Sequence, residues 1–156
     1  MKDEYFMKQA LRKAKEGIRK GQSPFGACIV RNDKIISCAH NVVWKLTDIT
    51  AHAEISAIRK ACKKLNSIDL SGCVIYSTCE PCPMCFSAIA WARISRIVFG
   101  AKISDAAKNG FHELAISNKS MNNLGKGNIR IAGDCLRKEN LELFKFWSSR
   151  KGKRVY

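Results

Sequence analysis

The apolar residues of this chain recur at two alternating spacings, which predicts helices alternating with strands. Over residues 3–20 they fall three or four positions apart, as in an amphipathic helix, and Gly21 and Pro24 end that run. Two short apolar runs joined by the turn signal Asn32-Asp33 then predict a β-hairpin. The pattern predicts these further elements: hairpin strands at 25–31 and 34–39, helices at 51–65, 83–93 and 139–149, strands at 72–79, 95–100 and 128–132, a short helix at 105–109, and polar loops at 41–50 and 118–127.

This alternation indicates an α/β fold, in which helices are layered against a sheet. The sheet is expected to be mixed, because the strands of the opening hairpin run antiparallel. With 156 residues and no internal repeat, the chain is expected to form one domain over residues 1–156.

The chain is strongly basic, with a formal net charge of +15. Such a charge attracts polyanions, which makes RNA a partner to consider. The basic residues lie mainly on predicted helix faces and in the C-terminal tail, where a solvated surface explains them better. There is no run of 18 apolar residues and no apolar leader, so we expect no membrane partner and a cytoplasmic location.

Eight cysteines raise the question of a disulfide framework. Most of them lie in apolar or helical stretches, where a free cysteine behaves as a small buried side chain. The sequence therefore predicts free thiols in a reducing compartment. The cysteines assigned to this class are Cys28, Cys38, Cys62, Cys73 and Cys135.

Two short motifs carry the candidate chemistry. His52-Ala53-Glu54 opens one predicted helix, and Pro81-Cys82-Pro83-Met84-Cys85 opens another just after a strand. One imidazole and two thiolates can hold Zn²⁺ tetrahedrally with an open fourth position, where a water becomes a nucleophile near neutral pH. Glu54 lies two positions from His52, so it is free to move protons as a general acid and base. The spacing H-x-E…P-C-x-x-C is typical of zinc-dependent base deaminases.

Other interpretations of the cysteine motif stay open at this point. A lone C-x-x-C also occurs in redox and structural zinc sites. Cys79, Cys82 and Cys85 form a C-x₂-C-x₂-C run, which suggests an iron–sulfur cluster, but a fourth cysteine at suitable spacing is missing. We therefore interpret Cys79 as a buried strand end.

The motifs resemble the cytidine deaminase superfamily, and further segments narrow the resemblance to bacterial guanine deaminases and plant guanosine deaminases. These segments are Pro24-Phe25-Gly26-Ala27, His40-Asn41, Asp105-Ala106-Ala107 with Gly110-Phe111, and the C-terminal Tyr156. The resemblance implies a three-layer α/β/α sandwich with a mixed five-stranded sheet. It also implies hydrolytic deamination of a purine base, with guanine converted to xanthine and ammonia.

The resemblance also implies roles for single residues. Zn²⁺ is expected on His52, Cys82 and Cys85, with Glu54 as the catalytic acid and base. Asn41 is expected to bind the polar edge of the base, and Phe25 to pack on its ring. The full set of expected substrate contacts is Phe25, Asn41, Ala53, Glu113, Glu142 and Tyr156.

Two positions depart from the guanine deaminase pattern, and they leave the substrate open. Ile49 stands where a proline usually precedes the Thr-Ala-His-Ala-Glu run, and His112-Glu113 stands where two acidic residues are usual. The alternatives are a guanosine, cytosine or other nucleobase deaminase, a tRNA adenosine deaminase, and an RNA-binding module with structural zinc.

The resemblance finally implies a homodimer that exchanges C-terminal segments. In this arrangement residues 128–156 cross to the partner, and Tyr156 covers the partner's site. The loop predicted at 118–127 would be the hinge, because swapping needs a connection that can open.

Overall fold

A computed structural model describes residues 2–156, which form a five-stranded sheet flanked by helices. The α/β class and the mixed sheet predicted from the sequence are thereby confirmed. Among these residues, no helix is long and apolar enough to cross a membrane. The elements are α1 Lys2–Arg19, β1 Gly26–Arg31, β2 Lys34–His40, α2 Val43–Leu46, α3 Ala53–Leu65, β3 Val74–Cys79, α4 Pro83–Trp91, β4 Arg96–Ala101, α5 Ile103–Lys108, α6 Asn118–Leu124, β5 Arg130–Ala132 and α7 Arg137–Ser148.

The strands lie in the order β2-β1-β3-β4-β5. β1 is antiparallel to both β2 and β3, whereas β3, β4 and β5 run parallel. Asn32 and Asp33 make the hairpin turn with φ angles of 47° and 59°. Both φ angles are positive, as the tight turn between twisted strands requires.

The side chains of β1 and β2 point alternately to two faces of the sheet, and this alternation separates the helices. Gly26 faces α1, because a Cβ there would lie 2.3 Å from the carbonyl oxygen of Ala10. Ser37 faces α3, where its hydroxyl donates to the carbonyl of Ala57. Since Ser37 pairs with Ile29, three positions from Gly26, the two contacts lie on opposite faces. The helices therefore form a layer on each side of the sheet.

Helices α1 and α7 share one layer. Asp3 near the start of α1 accepts two hydrogen bonds from Arg96 of β4, at 2.6 and 2.9 Å, and one from the hydroxyl of Tyr76. α7 crosses β4 at Gly100, where an added Cβ would lie 2.1 Å from the Asn140 side chain. Glycine is required at this crossing because no side chain fits between the helix and the strand.

The prediction of two polar loops was wrong in part, since each of these segments contains a short helix. Residues 41–50 include α2, and residues 118–127 include α6. The Ser117 hydroxyl caps α6 by accepting from the amide of Ser120. Asn118 is fully buried, so the proposed hinge is anchored at its first residue. Tertiary contacts of this kind determine whether a short polar helix forms, and the periodicity of the sequence does not reveal such contacts.

The prediction of free thiols was wrong for Cys28 and Cys38, which form a disulfide between β1 and β2. The hairpin register places the two residues directly opposite each other. The other cysteines, Cys62, Cys73, Cys79, Cys82, Cys85 and Cys135, are free.

Candidate active site

Two helix starts meet at the centre of the molecule and bring the motifs together. His52 is the N-cap residue of α3, and Cys82 is the N-cap residue of α4. Cys85 lies in the first turn of α4 and is fully buried. Pro83 occupies the first position of α4, where its fixed φ favours the helix and its missing N–H costs no hydrogen bond.

The three predicted ligands fit a zinc ion. The Nδ1 atom of His52 lies 3.7 Å from Sγ of Cys82 and 3.5 Å from Sγ of Cys85. All three donor atoms lie within 4.8 Å of one another. A tetrahedral zinc with ordinary Zn–N and Zn–S bonds places such atoms about 3.6 Å apart. Cys79 is not in this group, and its thiol instead lies 3.5 Å from the carbonyl of Lys102. This placement disfavours the iron–sulfur interpretation.

The pKa values of the two ligand thiols are shifted in opposite directions. The hydrogen bond from Cys85, together with the neighbouring His52, lowers the pKa of Cys82 to about 4 despite its burial. The same bond and deep burial raise the pKa of Cys85. A cation between the sulfurs favours both thiolates. When bound, zinc supplies Lewis acidity that lowers the pKa of an attacking water towards 7.

Glu54 lies in the first turn of α3, buried beside the ligands. Its Oε1 accepts a 3.0 Å hydrogen bond from Ser77 of β3, and its Oε2 lies 3.6 Å from Sγ of Cys85. Burial raises the pKa of Glu54, which brings its protonated form closer to neutral pH. A carboxylate held in this way can take a proton and return it without reorienting. Ser77 was missed from the sequence, although a polar residue in an apolar strand is a signal for it.

Hydrogen bonds from the start of α6 hold the turn that leads into Cys82. The Glu80 side chain accepts a 2.9 Å hydrogen bond from the amide of Asn118. The Asn118 side chain donates a 2.6 Å bond to the carbonyl of Pro81. These bonds tie the start of α6 to the residues just before Cys82, so α6 fixes the orientation of the turn.

A cavity of about 260 Å³ opens beside the ligands. His52 and Cys82 form its floor, and Glu113 and Tyr156 line it. The ring of Tyr156 lies 5.4 Å from the imidazole of His52, measured between centroids. The last residue of the same chain therefore lines its own site. Other lining residues are Ile49, Pro83, Met84, Phe111, His112 and Leu114.

Asn41 stands at the end of β2, fully buried. Its Oδ1 accepts a 3.1 Å bond from the amide of Val43, which fixes the orientation of the side-chain amide. Its Nδ2 donates a 2.6 Å hydrogen bond to the hydroxyl of Tyr156. Ala53 is the first residue of α3, so its amide N–H has no partner within the helix. Neither residue lines the cavity itself, and Asn41 is connected to it through Tyr156.

Glu113 is a half-buried residue with one buried carboxyl oxygen. Among residues 2–156, its Oε2 has no hydrogen-bond partner. Burial and the nearby charges of Cys82 and Glu54 raise the pKa of Glu113 to about 8. A buried oxygen without a partner is unfavourable, so it favours a ligand that supplies an N–H group.

The structure places the remaining predicted contacts differently. Phe25 packs edge-on against Phe111 at 4.9 Å and does not line the cavity, whereas Phe111 does. Glu142 does not have the position expected of a substrate contact. It lies on the exposed face of α7, bonded to Lys145, and is not part of this site. Its helix register turns it to solvent, because Leu143, Phe144 and Trp147 take the buried face. Sequence reasoning also missed Trp44, whose ring lies 6.4 Å from that of Tyr156.

The family model of the cytidine and deoxycytidylate deaminase zinc-binding region matches residues 1–101. The chain belongs to this family. It is thus a zinc enzyme that deaminates a nucleobase by hydrolysis, and His52, Cys82 and Cys85 are positioned to bind the metal.

Relatives within the family differ in substrate. The chain is 47% identical over 114 residues to a guanine deaminase of Bacillus subtilis, covering 72% of this chain and 73% of that protein. It is 52% identical over 101 residues to a tRNA-specific adenosine deaminase of Aquifex aeolicus, covering 65% of this chain and 67% of that protein. The solved guanine deaminase of Nitrosomonas europaea superposes with a TM-score of 0.87 at 28% identity, over 94% of this chain and 85% of that one. Identity alone does not choose between the two substrates.

Proposed function

We propose that this deaminase acts on free guanine and releases xanthine and ammonia. The observation that carries the proposal is the position of the Tyr156 ring, 5.4 Å from the imidazole of His52, on a cavity of about 260 Å³. A planar base fits such a volume. The anticodon loop of a tRNA requires a wide approach to the zinc ligands, and the tail that ends at Tyr156 narrows this approach.

The polar groups of the cavity suit guanine. Its N1–H and amino group are neighbouring donors, and the orphaned oxygen of Glu113 is an acceptor for them. Its carbonyl and ring nitrogens are acceptors, and Asn41 Nδ2, which donates to Tyr156 in this structure, and the Ala53 amide are the proposed donors for them. The flat ring of Tyr156 closes over the base, and Phe111 packs against that ring at 5.6 Å.

Glu54 carries the protons in this reaction. Its carboxylate takes a proton from the attacking water as the oxygen bonds to C2, and it passes that proton to ring nitrogen N3. It next takes the remaining proton of that oxygen and delivers it to the amino group. The C–N bond then breaks, and ammonia and xanthine leave. Ser77 keeps the carboxylate in place through these steps.

A second candidate is tRNA adenosine deamination. The 52% identity to the Aquifex enzyme and the net charge of +15 favour it. In this case the C-terminal tail has to leave the site before RNA can bind.

Ammonia release from guanine, guanosine, cytosine, adenine and tRNA distinguishes these functions. We expect guanine to have the highest kcat/KM, and guanosine to be poor because the docked tail restricts the space for ribose. A higher kcat/KM for tRNA adenosine, or for guanosine or cytosine, overturns the proposal.

The homodimer with exchanged segments is also a proposal. In this structure residues 128–156 pack on their own chain, and α7 lies on β4. The irregular stretch 125–129 between α6 and β5 is the remaining connection that could open. The site is equally complete whichever chain supplies Tyr156, so a mixing experiment is needed to decide.

A further inference from the structure

A basic groove lies next to the active site, at the end of β2 and between α1, α2 and α3. Its volume is about 640 Å³. Glu16 is the one carboxylate among the described residues that line it. The basic side chains of the groove are Lys13, Lys20, Lys45, Arg59, Lys60 and Arg154.

Half of these cations have no carboxylate to neutralise them. Glu16 lies 2.7 Å from both Lys13 and Lys20, and therefore compensates only part of their charge. Three basic side chains of the groove have no carboxylate within 4.0 Å among residues 2–156. They are Lys45, Lys60 and Arg154. A concave surface lined by one sign of charge concentrates the field and attracts a counter-ion.

Arg154 connects this groove to the active site. Its guanidinium lies 4.2 Å above the ring of Trp44, and two residues later Tyr156 closes the cavity. Trp44 in turn lines the groove and neighbours Tyr156. The groove thus has its full set of cations only while the C-terminal tail is docked.

We propose that the basic groove binds a compact phosphate-chain ligand of the nucleoside di- or triphosphate class, and that this ligand holds the tail on the active site. Phosphate oxygens accept strong charge-assisted bonds from lysine and arginine. The volume lies in the range of small-molecule sites. The apolar wall of Val42, Trp44 and Leu46 suits the base of such a ligand.

A compact ligand fits better than an RNA strand. Sites for single-stranded nucleic acid combine an extended basic track with several aromatic platforms. Here the cations converge on one concavity, and Trp44 is the one Trp, Tyr or Phe among the described residues that line it. The proposal does not depend on which base the enzyme deaminates.

Binding and tail docking are linked in both directions. A ligand that contacts Arg154 in the groove binds the docked state more tightly, so it increases the docked population. By the same linkage, removal of the tail weakens the ligand.

Calorimetric titration of the full chain with inorganic tripolyphosphate and with GTP, at physiological salt, tests the site. We expect one saturable site per chain. Lys60→Glu should weaken both ligands by about tenfold or more, since it replaces a charge-assisted donor by a repulsive charge. Lys64→Glu is the matched control, because it changes the same charge on an exposed position of α3 outside the groove, and its effect should stay within about twofold.

Limited trypsin digestion tests the tail, which offers cleavage sites at Lys151, Lys153 and Arg154. GTP should slow loss of the last residues from wild type and Lys64→Glu, measured by mass, but not from Lys60→Glu. The proposal is overturned if neither probe saturates, if both variants lose affinity equally, or if tail cleavage is unchanged. It is also overturned if a short single-stranded RNA binds where tripolyphosphate and GTP do not.

Discussion

The side-chain amide of Asn41 donates a 2.6 Å hydrogen bond to the hydroxyl of Tyr156, 115 residues further along the chain. Asn41 is fully buried at the end of β2, and Tyr156 is the last residue. Because Val43 fixes the amide through Oδ1, the bond to Tyr156 uses the one donor that is also oriented for substrate. The position of the tail and the proposed recognition of the base therefore involve the same side chain.

Removal of residues 153–156 should leave zinc content intact and reduce kcat/KM for guanine by more than tenfold. The truncation opens the cavity to water and removes the ring that closes it. Tyr156→Phe keeps the ring and loses only the hydroxyl, so its loss should be about fivefold, the worth of one hydrogen bond of about 1 kcal/mol. Steady-state kinetics and metal analysis measure both. A fully active truncation would exclude Tyr156 from the site.

A mixture of two inactive chains shows which chain supplies the tail. We expect Glu54→Gln chains mixed and refolded with chains lacking residues 153–156 to recover activity if segments are exchanged. One site of each mixed dimer then has an intact Glu54 and a Tyr156 from the partner. Sedimentation confirms the dimer. Absence of recovery in a mixture that contains mixed dimers would show that each chain closes its own site.

Glu54→Gln should keep zinc and the folded structure while kcat falls by at least about 10²–10⁴, the range of general acid–base catalysis. The amide cannot accept the proton of the attacking water. Glu142→Gln is the matched control, because that carboxylate is exposed and bonded to Lys145 on the outer face of α7. Its activity should stay within about twofold of wild type. Turnover by Glu54→Gln within tenfold of wild type would remove Glu54 from the mechanism.

Purified protein should contain one zinc per chain, and Cys85→Ser should lose most of it. Cys79→Ser serves as the comparison: its thiol lies near the carbonyl of Lys102, outside the ligand group, so zinc content should be unchanged. Chelation of the wild type should lower the melting temperature, because a metal that binds only the folded state stabilises it. Elemental analysis and thermal unfolding measure these effects. Equal zinc loss in both variants would contradict the ligand assignment.

The Asp3–Arg96 pair should make the free energy of unfolding depend on pH in the acid range. The hydrogen bonds from Arg96, helped by Tyr76 and opposed by burial, hold the pKa of Asp3 below its ordinary value. The stabilisation is therefore complete above the unfolded pKa of about 3.9 and is lost as pH falls through the lower folded pKa.

Asp3→Asn should then cost about 1 kcal/mol of unfolding free energy at pH 7, a figure reduced for partial solvent screening. Urea unfolding should show this difference narrowing below about pH 4. Asp33→Asn removes the exposed pair with Lys2 and should have almost no effect at either pH. A constant difference between pH 3 and 7 for Asp3→Asn would show that packing, and not charge, carries the contact.

The zinc ligands were predictable because each motif combines residue type with a helix start. His52 and Cys82 stand at the two helix N-termini that the pattern placed there, and the sheet brings these ends together. Most strands and long helices were predictable for a similar reason, since their periods are short-range properties of the chain.

Contacts between distant segments were not predictable from the pattern. Phe25 and Phe111 are both apolar, and only the packing shows that Phe111 faces the cavity. Cys28 and Cys38 pair because the hairpin register places them opposite each other. Glu142 was misplaced because a resemblance does not fix the rotation of α7 about its axis.

The helix starts at the site also carry a thermodynamic consequence. His52 and Cys82 occupy N-cap positions, yet neither caps its helix with a side-chain hydrogen bond to any described residue. A serine or aspartate at such a position stabilises a helix by about 1 kcal/mol. His52 and Cys82 therefore hold positions at which a capping residue would make the metal-free chain more stable. A gain in heat resistance from a serine or aspartate at either position would come with loss of a zinc ligand, and so of catalysis.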